Sequence, residues 1–260
     1  GVIRLEDCVF ESMLDDAGNF HGVYTPAEEA VEPNLLKIRY PHGRIDCYLP
    51  GDRVQLTDMR RMQSVWEGVI REVRDLDRQY TLLRFDIPLP PVEGLAATNL
   101  TRQPDQVIIT GCRTGKNRPR GFLLTCRGRV RVEKNVFYNS DCGIEMAGDA
   151  NDWYESGPVE DVLIRDNTFQ DCGYAWGCPA IHINPAIPLG DAPYHGKVVI
   201  TDNRFVTFNR WLLAAHHVAN ITFTDNTFTS TGTYRPLTDR LHVELRDCSG
   251  RVEVPGAKIY

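Results

Sequence analysis

Val162-Leu-Ile-Arg-Asp-Asn-Thr-Phe169 alternates apolar and polar residues, turns at an Asn and resumes at a Phe. Three other segments share its form: Val130-Arg-Val-Glu-Lys-Asn-Val-Phe137, Val198-Val-Ile-Thr-Asp-Asn-Arg-Phe205 and Ile221-Thr-Phe-Thr-Asp-Asn-Thr-Phe228. The period of two is that of a half-buried strand. Asn is a residue that accepts the left-handed backbone of a tight corner, so the Asn is expected to make the turn. The four Asn, at 135, 167, 203 and 226, lie 32, 36 and 23 residues apart. A step of 23 with loop insertions suits one coil of a solenoid. Two weaker copies, Val107-Ile-Ile-Thr-Gly-Cys112 and Ile3-Arg-Leu-Glu-Asp-Cys-Val-Phe10, put Cys112 and Cys8 at the Asn position, and the Asn or Cys side chains are expected to stack coil upon coil inside the turn. The reading is all-β: a right-handed parallel β-helix with a small antiparallel β insertion.

A second strand per coil aligns as Ala17–His21, Gly121–Thr125, Gly143–Ala147, Ala180–Asn184 and Trp211–Ala215. In this register Phe20, Leu124, Met146, Ile183 and Ala214 point inward, and Val243 and Leu245 continue them. The outward row is Asn19, Leu123, Glu145, His182 and Leu213, with His21, Thr125, Ala147, Asn184 and Ala215 beside it. Polar residues repeated on one sheet face are a candidate cleft, although an ordinary solvated face would look the same. The helix is assigned to residues 1–22 and 106–260. Residues 23–105 break the repeat with short strands such as Leu35–Tyr40 and Thr81–Phe85, set off by Pro41-His-Gly43 and Pro50-Gly-Asp52, and read as an inserted, barrel-like antiparallel unit.

The bulk properties remove several function classes. The 260 residues carry a formal net charge of −6, which disfavours a nucleic-acid surface. No apolar run reaches the roughly 18 to 20 residues that span a bilayer. No signal peptide is visible, the chain opening on Gly-Val-Ile-Arg-Leu without an initiating Met. None of the eight cysteines forms a Cys-x-x-Cys pair, so no zinc site is expected. Cys172 and Cys178 could close a small disulfide; the plainer reading makes the cysteines small apolar residues of the stack. Phosphate-loop, Gly-x-Ser-x-Gly and His-Glu-x-x-His motifs are all missing.

Two stretches could carry chemistry. Leu14-Asp15-Asp16-Ala17-Gly18-Asn19-Phe20-His21-Gly22 sets two adjacent carboxylates at the mouth of an exposed strand. Like charges so close predict one raised pKa, and groups of split pKa serve as an acid and a base; most such dipeptides are solvated turns. Glu145-Met-Ala-Gly-Asp149-Ala-Asn-Asp-Trp153-Tyr154-Glu155-Ser-Gly-Pro158 mixes acids with aromatics, the chemistry of sugar hydroxyls and sugar faces, or of an Ω-type loop that caps a core. Arg120 aligns one coil after Asp16, where it could bind a hydroxyl or pair with the Asp. His216 and His217 read as structural.

These stretches resemble glycoside hydrolase family 110, the bacterial exo-acting α-1,3-galactosidases of blood-group-B type. The resemblance rests on Asp15-Asp16-Ala-x-Asn19-x-His21-Gly22, on Arg120–Thr125 running into Val130–Asn135, and above all on Gly148–Pro158 followed by Val162–Asn167. It implies release of terminal α-1,3-linked galactose by metal-independent inversion, without a cofactor. Asp15 and Asp16 would be catalytic; Asn19, His21, Arg120, Glu145, Asp149, Trp153, Glu155, His182 and Asn184 would bind substrate. By analogy with polygalacturonase-like β-helix enzymes, a third aspartate is expected one coil, about 20 to 25 residues, upstream of the pair, so the chain is expected to lack its N-terminal coils. The partner implied is an oligosaccharide or glycoconjugate glycan, with no nucleic acid and no membrane span; a homodimer is left open. An extracellular or periplasmic location is expected. The rival readings are a β-helix polysaccharide lyase and a non-catalytic glycan-binding or structural β-helix.

Overall fold

The computed structural model describes residues 1–255; residues 256–260, the end of the range assigned to the β-helix, lie outside it. Three parallel sheets run the length of the solenoid. The first contains Val2–Glu6, Gln106–Thr110, Arg129–Glu133, Asp161–Arg165, His195–Thr201, Val218–Thr224 and Gly250–Val252. The second holds the short strands after the Asn corner, from Val9–Glu11 to Thr227–Thr229. The third contains Gly18–Val23, Phe122–Thr125, Ile144–Met146, Ile181–Ile183, Trp211–His216 and His242–Arg246. The chain is a parallel β-helix.

The repeated motif falls in register: Val107 pairs with Val130, Val130 with Val162, Val162 with Val198 and Val198 with Ile221. Alternate residues enter the core, and Val107, Val130, Val162, Val198 and Ile221 are fully buried. The Phe after each corner builds a ring stack, Phe137 on Phe169 at 4.9 Å and Phe169 on Phe205 at 5.0 Å.

The Asn side chains stack inside the turn as expected, but the turn itself is made by another residue. The left-handed residue is the one before each Asn: Lys134, Asp166, Asp202 and Asp225 have φ between 55° and 59°. The Asn itself turns inward and is buried. Asn167 Oδ1 accepts from the main-chain N–H and the side-chain amide of Asn135, and Asn203 Oδ1 does the same for Asn167, all at 2.9–3.0 Å. Each Asn also donates to a carbonyl of the preceding coil, as Asn167 does to Val132 at 2.8 Å. Cys112 begins this ladder, its N–H donating to Asn135 Oδ1. The corner thus needs one residue that tolerates positive φ and one buried side chain that both donates and accepts, and the motif supplies them side by side.

Between the first and second coils the chain leaves the solenoid. Thr25–Glu32, Leu35–Arg39, Arg53–Asp58, Ser64–Asp75, Tyr80–Phe85 and Leu95–Asn99 close an antiparallel barrel around Leu36, Ile38, Val54, Leu56, Ile70, Leu83 and Phe85. Asp52 lies at its base, held by Arg102 Nε at 2.6 Å and Asn99 Nδ2 at 2.8 Å.

All eight cysteines are free, including Cys172 and Cys178. Cys112, Cys126, Cys142 and Cys172 are buried, and burial pushes the thiols of Cys126 and Cys172 up to about 12. They act as small apolar residues.

Candidate active site

The outer face of the third sheet displays one residue per coil. Asn19 pairs with Leu123, Leu123 with Glu145, and Glu145 with His182. The next step departs from the sequence alignment: His182 pairs with Ala214, not Leu213. A β-bulge between Trp211 and Leu213 shifts the register, so Leu213 and Ala215 turn into the core while Ala214 faces out, followed by Glu244. An extra residue moves every later side chain to the opposite face. In the neighbouring row His216 therefore replaces Ala215, and His216 Nε2 lies 2.5 Å from Asn184 Oδ1. His216, read from sequence as structural, belongs to the exposed face.

Arg120 organises the first three coils. Its guanidinium donates to Asp16 through Nε at 2.8 Å and Nη2 at 3.2 Å, and to Glu145 through Nη1 at 2.7 Å. His182 Nδ1 stands 3.7 Å from the other oxygen of Glu145. The side chain of Asp16 is only 6% exposed and that of Glu145 13%. Burial alone would lower the Arg120 pKa, but the two carboxylates hold it above its ordinary value. The guanidinium stays charged. Asp15 is exposed and faces a different partner, its Oδ1 accepting from the N–H of Asp16 at 2.9 Å. The adjacent aspartates therefore engage separate groups.

A second cluster borders the same strand. Asp149 accepts from the N–H groups of Asn151, Asp152 and Trp153 and bridges Glu155, folding residues 149–155 into a tight loop. The loop lays Glu155 and Ser156 antiparallel against Val23 and Gly22. Gly22 packs closely there, since a Cβ would press on the side chains of Gln103 and Ser156. Glu155 Oε1 accepts from Asn19 Nδ2 at 2.8 Å and stands 4.0 Å from His21 Nε2. Trp153, 72% exposed, projects beside His42 of the barrel, ring centres 6.0 Å apart.

The structure thus gathers Asp16, Arg120, Glu145 and His182 into one network and Asn19, His21 and Glu155 into another on the same sheet. Asn184 lies farther along with His216. Asp149 is not among them: its oxygens are taken by loop amides, and it braces the loop that carries Glu155. Sequence reasoning missed His216, Trp211 and Glu244. Glu244 was within reach of the alternation that placed Val243 and Leu245 inside.

Fold and face together define a class: a parallel β-helix whose third sheet carries a network of carboxylates, an arginine and histidines. No family model matches the chain. Curated relatives do. It is 35% identical over 240 residues to α-1,3-galactosidase A of Shewanella woodyi, covering 90% of this chain and 39% of that protein. It is 34% identical to α-1,3-galactosidase B of Bacteroides thetaiotaomicron, over 91% of this chain and 40% of that protein. α-1,3-Galactosidase A of Bacteroides fragilis matches at 34%, over 90% and 40%. The chain is similar over about nine tenths of its length to these bacterial α-1,3-galactosidases, the family its motifs resemble, and it spans about two fifths of their length. Among solved structures, the tailspike protein gp49 from Pseudomonas phage LKA1 covers 96% of this chain and 67% of that one at 12% identity and a TM-score of 0.23, a likeness too slight to carry an argument.

Proposed function

We propose that the third sheet binds a terminal α-1,3-linked galactose and that the protein hydrolyses its glycosidic bond. The clamp of Arg120 on Asp16 and Glu145 carries this reading. It fixes two largely buried carboxylates side by side at the edge of the sheet surface, where they accept hydrogen bonds from sugar hydroxyls, while the exposed Asp15 has no cation partner among the described residues. Asp15 and Asp16 share the acid and base functions of an inverting hydrolysis with the aspartate that the resemblance places one coil upstream, since the reaction needs carboxyl groups about 6.5–9.5 Å apart with water between them. Asn19, His21 and Glu155 orient the ring, and His182 positions Glu145 from the neighbouring strand. No metal ion takes part, so a chelator leaves the rate unchanged. The lyase reading requires a basic group that accepts a proton from the sugar; the charged state of Arg120 disfavours it in that role.

Galactose release from a Galα1,3Gal disaccharide tests the proposal, with the anomer of the first product read by NMR. Release with inversion, reduced by at least about a hundredfold in Asp16→Asn, is the expected result. An ultraviolet-absorbing unsaturated product, or turnover indifferent to Asp16→Asn, would overturn it.

A further inference from the structure

Beyond the network at Arg120, the third sheet contains an open notch of about 420 Å³. Its floor is Ala214, and its walls include His182, Asn184, Trp211, His216, Glu244 and Arg246. The notch exists because of the register shift. The preceding coils present Glu145 and His182 in this row and the following coil presents Glu244; the bulge brings a methyl group to the intervening position. A large side chain would have filled the space. The residues 185–189 loop, with Ala186 and the exposed Leu189, raises one rim.

The lining matches one ligand chemistry. The Trp211 indole offers an apolar plate, and its N–H is buried without a partner among the described residues. Around it stand an amide, two imidazoles, a carboxylate and a guanidinium. His216 already bonds Asn184 through Nε2 and His217 Nδ1 at 2.7 Å through Nδ1. That pairing fixes the Asn184 amide with its N–H₂ group free to donate. Arg246 pairs with Glu244 along the far wall. An aromatic plate ringed by fixed hydrogen-bonding groups of balanced charge fits a neutral pyranose, with its apolar ring face and equatorial hydroxyls, better than an anion or an apolar ligand.

We infer that this notch is a second saccharide subsite, seating an inner sugar of the glycan whose terminal residue lies at Arg120. The inference rests on the glycosidase reading for the identity of the chain, while its binding test stands apart from turnover. Four strand steps separate the Asp16 strand from that of Ala214, about 19 Å along the sheet. A disaccharide held at Asp16 cannot reach it; a longer linear glycan can.

Calorimetric titration of the chain with a Galα1,3Gal disaccharide and with a linear pentasaccharide capped by the same disaccharide provides the test, alongside galactose release from both. The pentasaccharide is expected to bind about tenfold more tightly, the ratio worth one good stacking contact. Ala214→Phe fills the notch and is expected to abolish that advantage while leaving disaccharide binding and hydrolysis unchanged. Arg246→Ala, on the exposed rim, keeps the fold and should weaken only the pentasaccharide, so it decides the matter if the Phe variant misfolds. Equal affinity for the two sugars, or full pentasaccharide affinity in folded variants, overturns the subsite even if galactose release persists. Variant-sensitive pentasaccharide binding without any galactose release preserves the subsite and rejects the galactosidase.

Discussion

The Asn corner and the third sheet belong to the same coils, yet they treat polar side chains in opposite ways. At the corner, Asn135, Asn167, Asn203 and Asn226 are buried one above another and bonded to each other or to the neighbouring main chain. On the sheet, the stacked positions read Asn19, Leu123, Glu145, His182, Ala214 and Glu244. Within the stack the corner repeats because a side chain that cannot both donate and accept would leave buried amides and carbonyls unpaired. The sheet face is free to vary because its side chains meet solvent or each other. A solenoid can thus hold its register with one edge and diversify its chemistry on another.

The largest effect is expected at the corner. Asn167→Ala removes four hydrogen bonds, those from Asn135 N and Nδ2 and those to Val132 O and Asn203 Oδ1. It leaves buried groups unsatisfied, so thermal or denaturant unfolding should show a loss of about 4 kcal/mol. A loss below about 1 kcal/mol would mean that the ladder is ornament and that the Phe stack alone sets the register.

A second stability effect comes from behind the sheet. His195 is wholly buried; burial is the main reason its pKa falls to about 3, with His216 and His217 adding to it. The sign follows from proton uptake. The unfolded chain binds a proton at this residue near pH 6.5 and the folded chain does not until about pH 3. The stability is therefore whole above pH 6.5 and is lost as the pH falls between those values, by about 1.4 kcal/mol per unit in the steep part. At pH 5 about 2 kcal/mol should be gone. His195→Gln should flatten the dependence of Tm on pH over this range, and an unchanged slope would place the acid sensitivity elsewhere.

The contrast between corner and face also decides what the sequence discloses. The corner was legible because one requirement recurs in four successive coils, and the motif Asp/Lys-Asn-x-Phe survives insertions of different length. Its internal division of labour was not, since Asn accepts either the left-handed backbone or the buried bonds; the ladder shows that the preceding residue takes the turn. On the face, Asn19, Glu145 and His182 followed from alternation, and Arg120 from its offset to Asp16. Alternation fails at a bulge, because one extra residue between Trp211 and Leu213 inverts it. That single insertion concealed Ala214 and His216. The bonds of Asp149 were not legible for another reason: an Asp that accepts from its own loop amides has the same local sequence as one that reaches a ligand.

The smallest stability effect is expected at the face itself, in the residue that its network depends on most. Arg120→Met keeps the apolar stem and removes the charge, leaving Asp16 and Glu145 facing each other across the vacated guanidinium. In a fully buried cluster this would cost several kcal/mol. Here the Arg side chain is 26% exposed although Asp16 and Glu145 are only 6% and 13% exposed, so water can follow the removed guanidinium to the two acids, which reduces the expected loss of stability to about 1–2 kcal/mol. The effect on binding should be disproportionate. Two carboxylates no longer held apart repel, take up new rotamers and lose the geometry that receives a sugar, so galactose affinity should fall by about tenfold or more. Arg120→Lys restores the charge but only one point of attachment, and should recover the stability while recovering little of the binding. If stability and binding instead fall together in both variants, the clamp serves the fold as the Asn ladder does, and the distinction between corner and face does not hold at this coil.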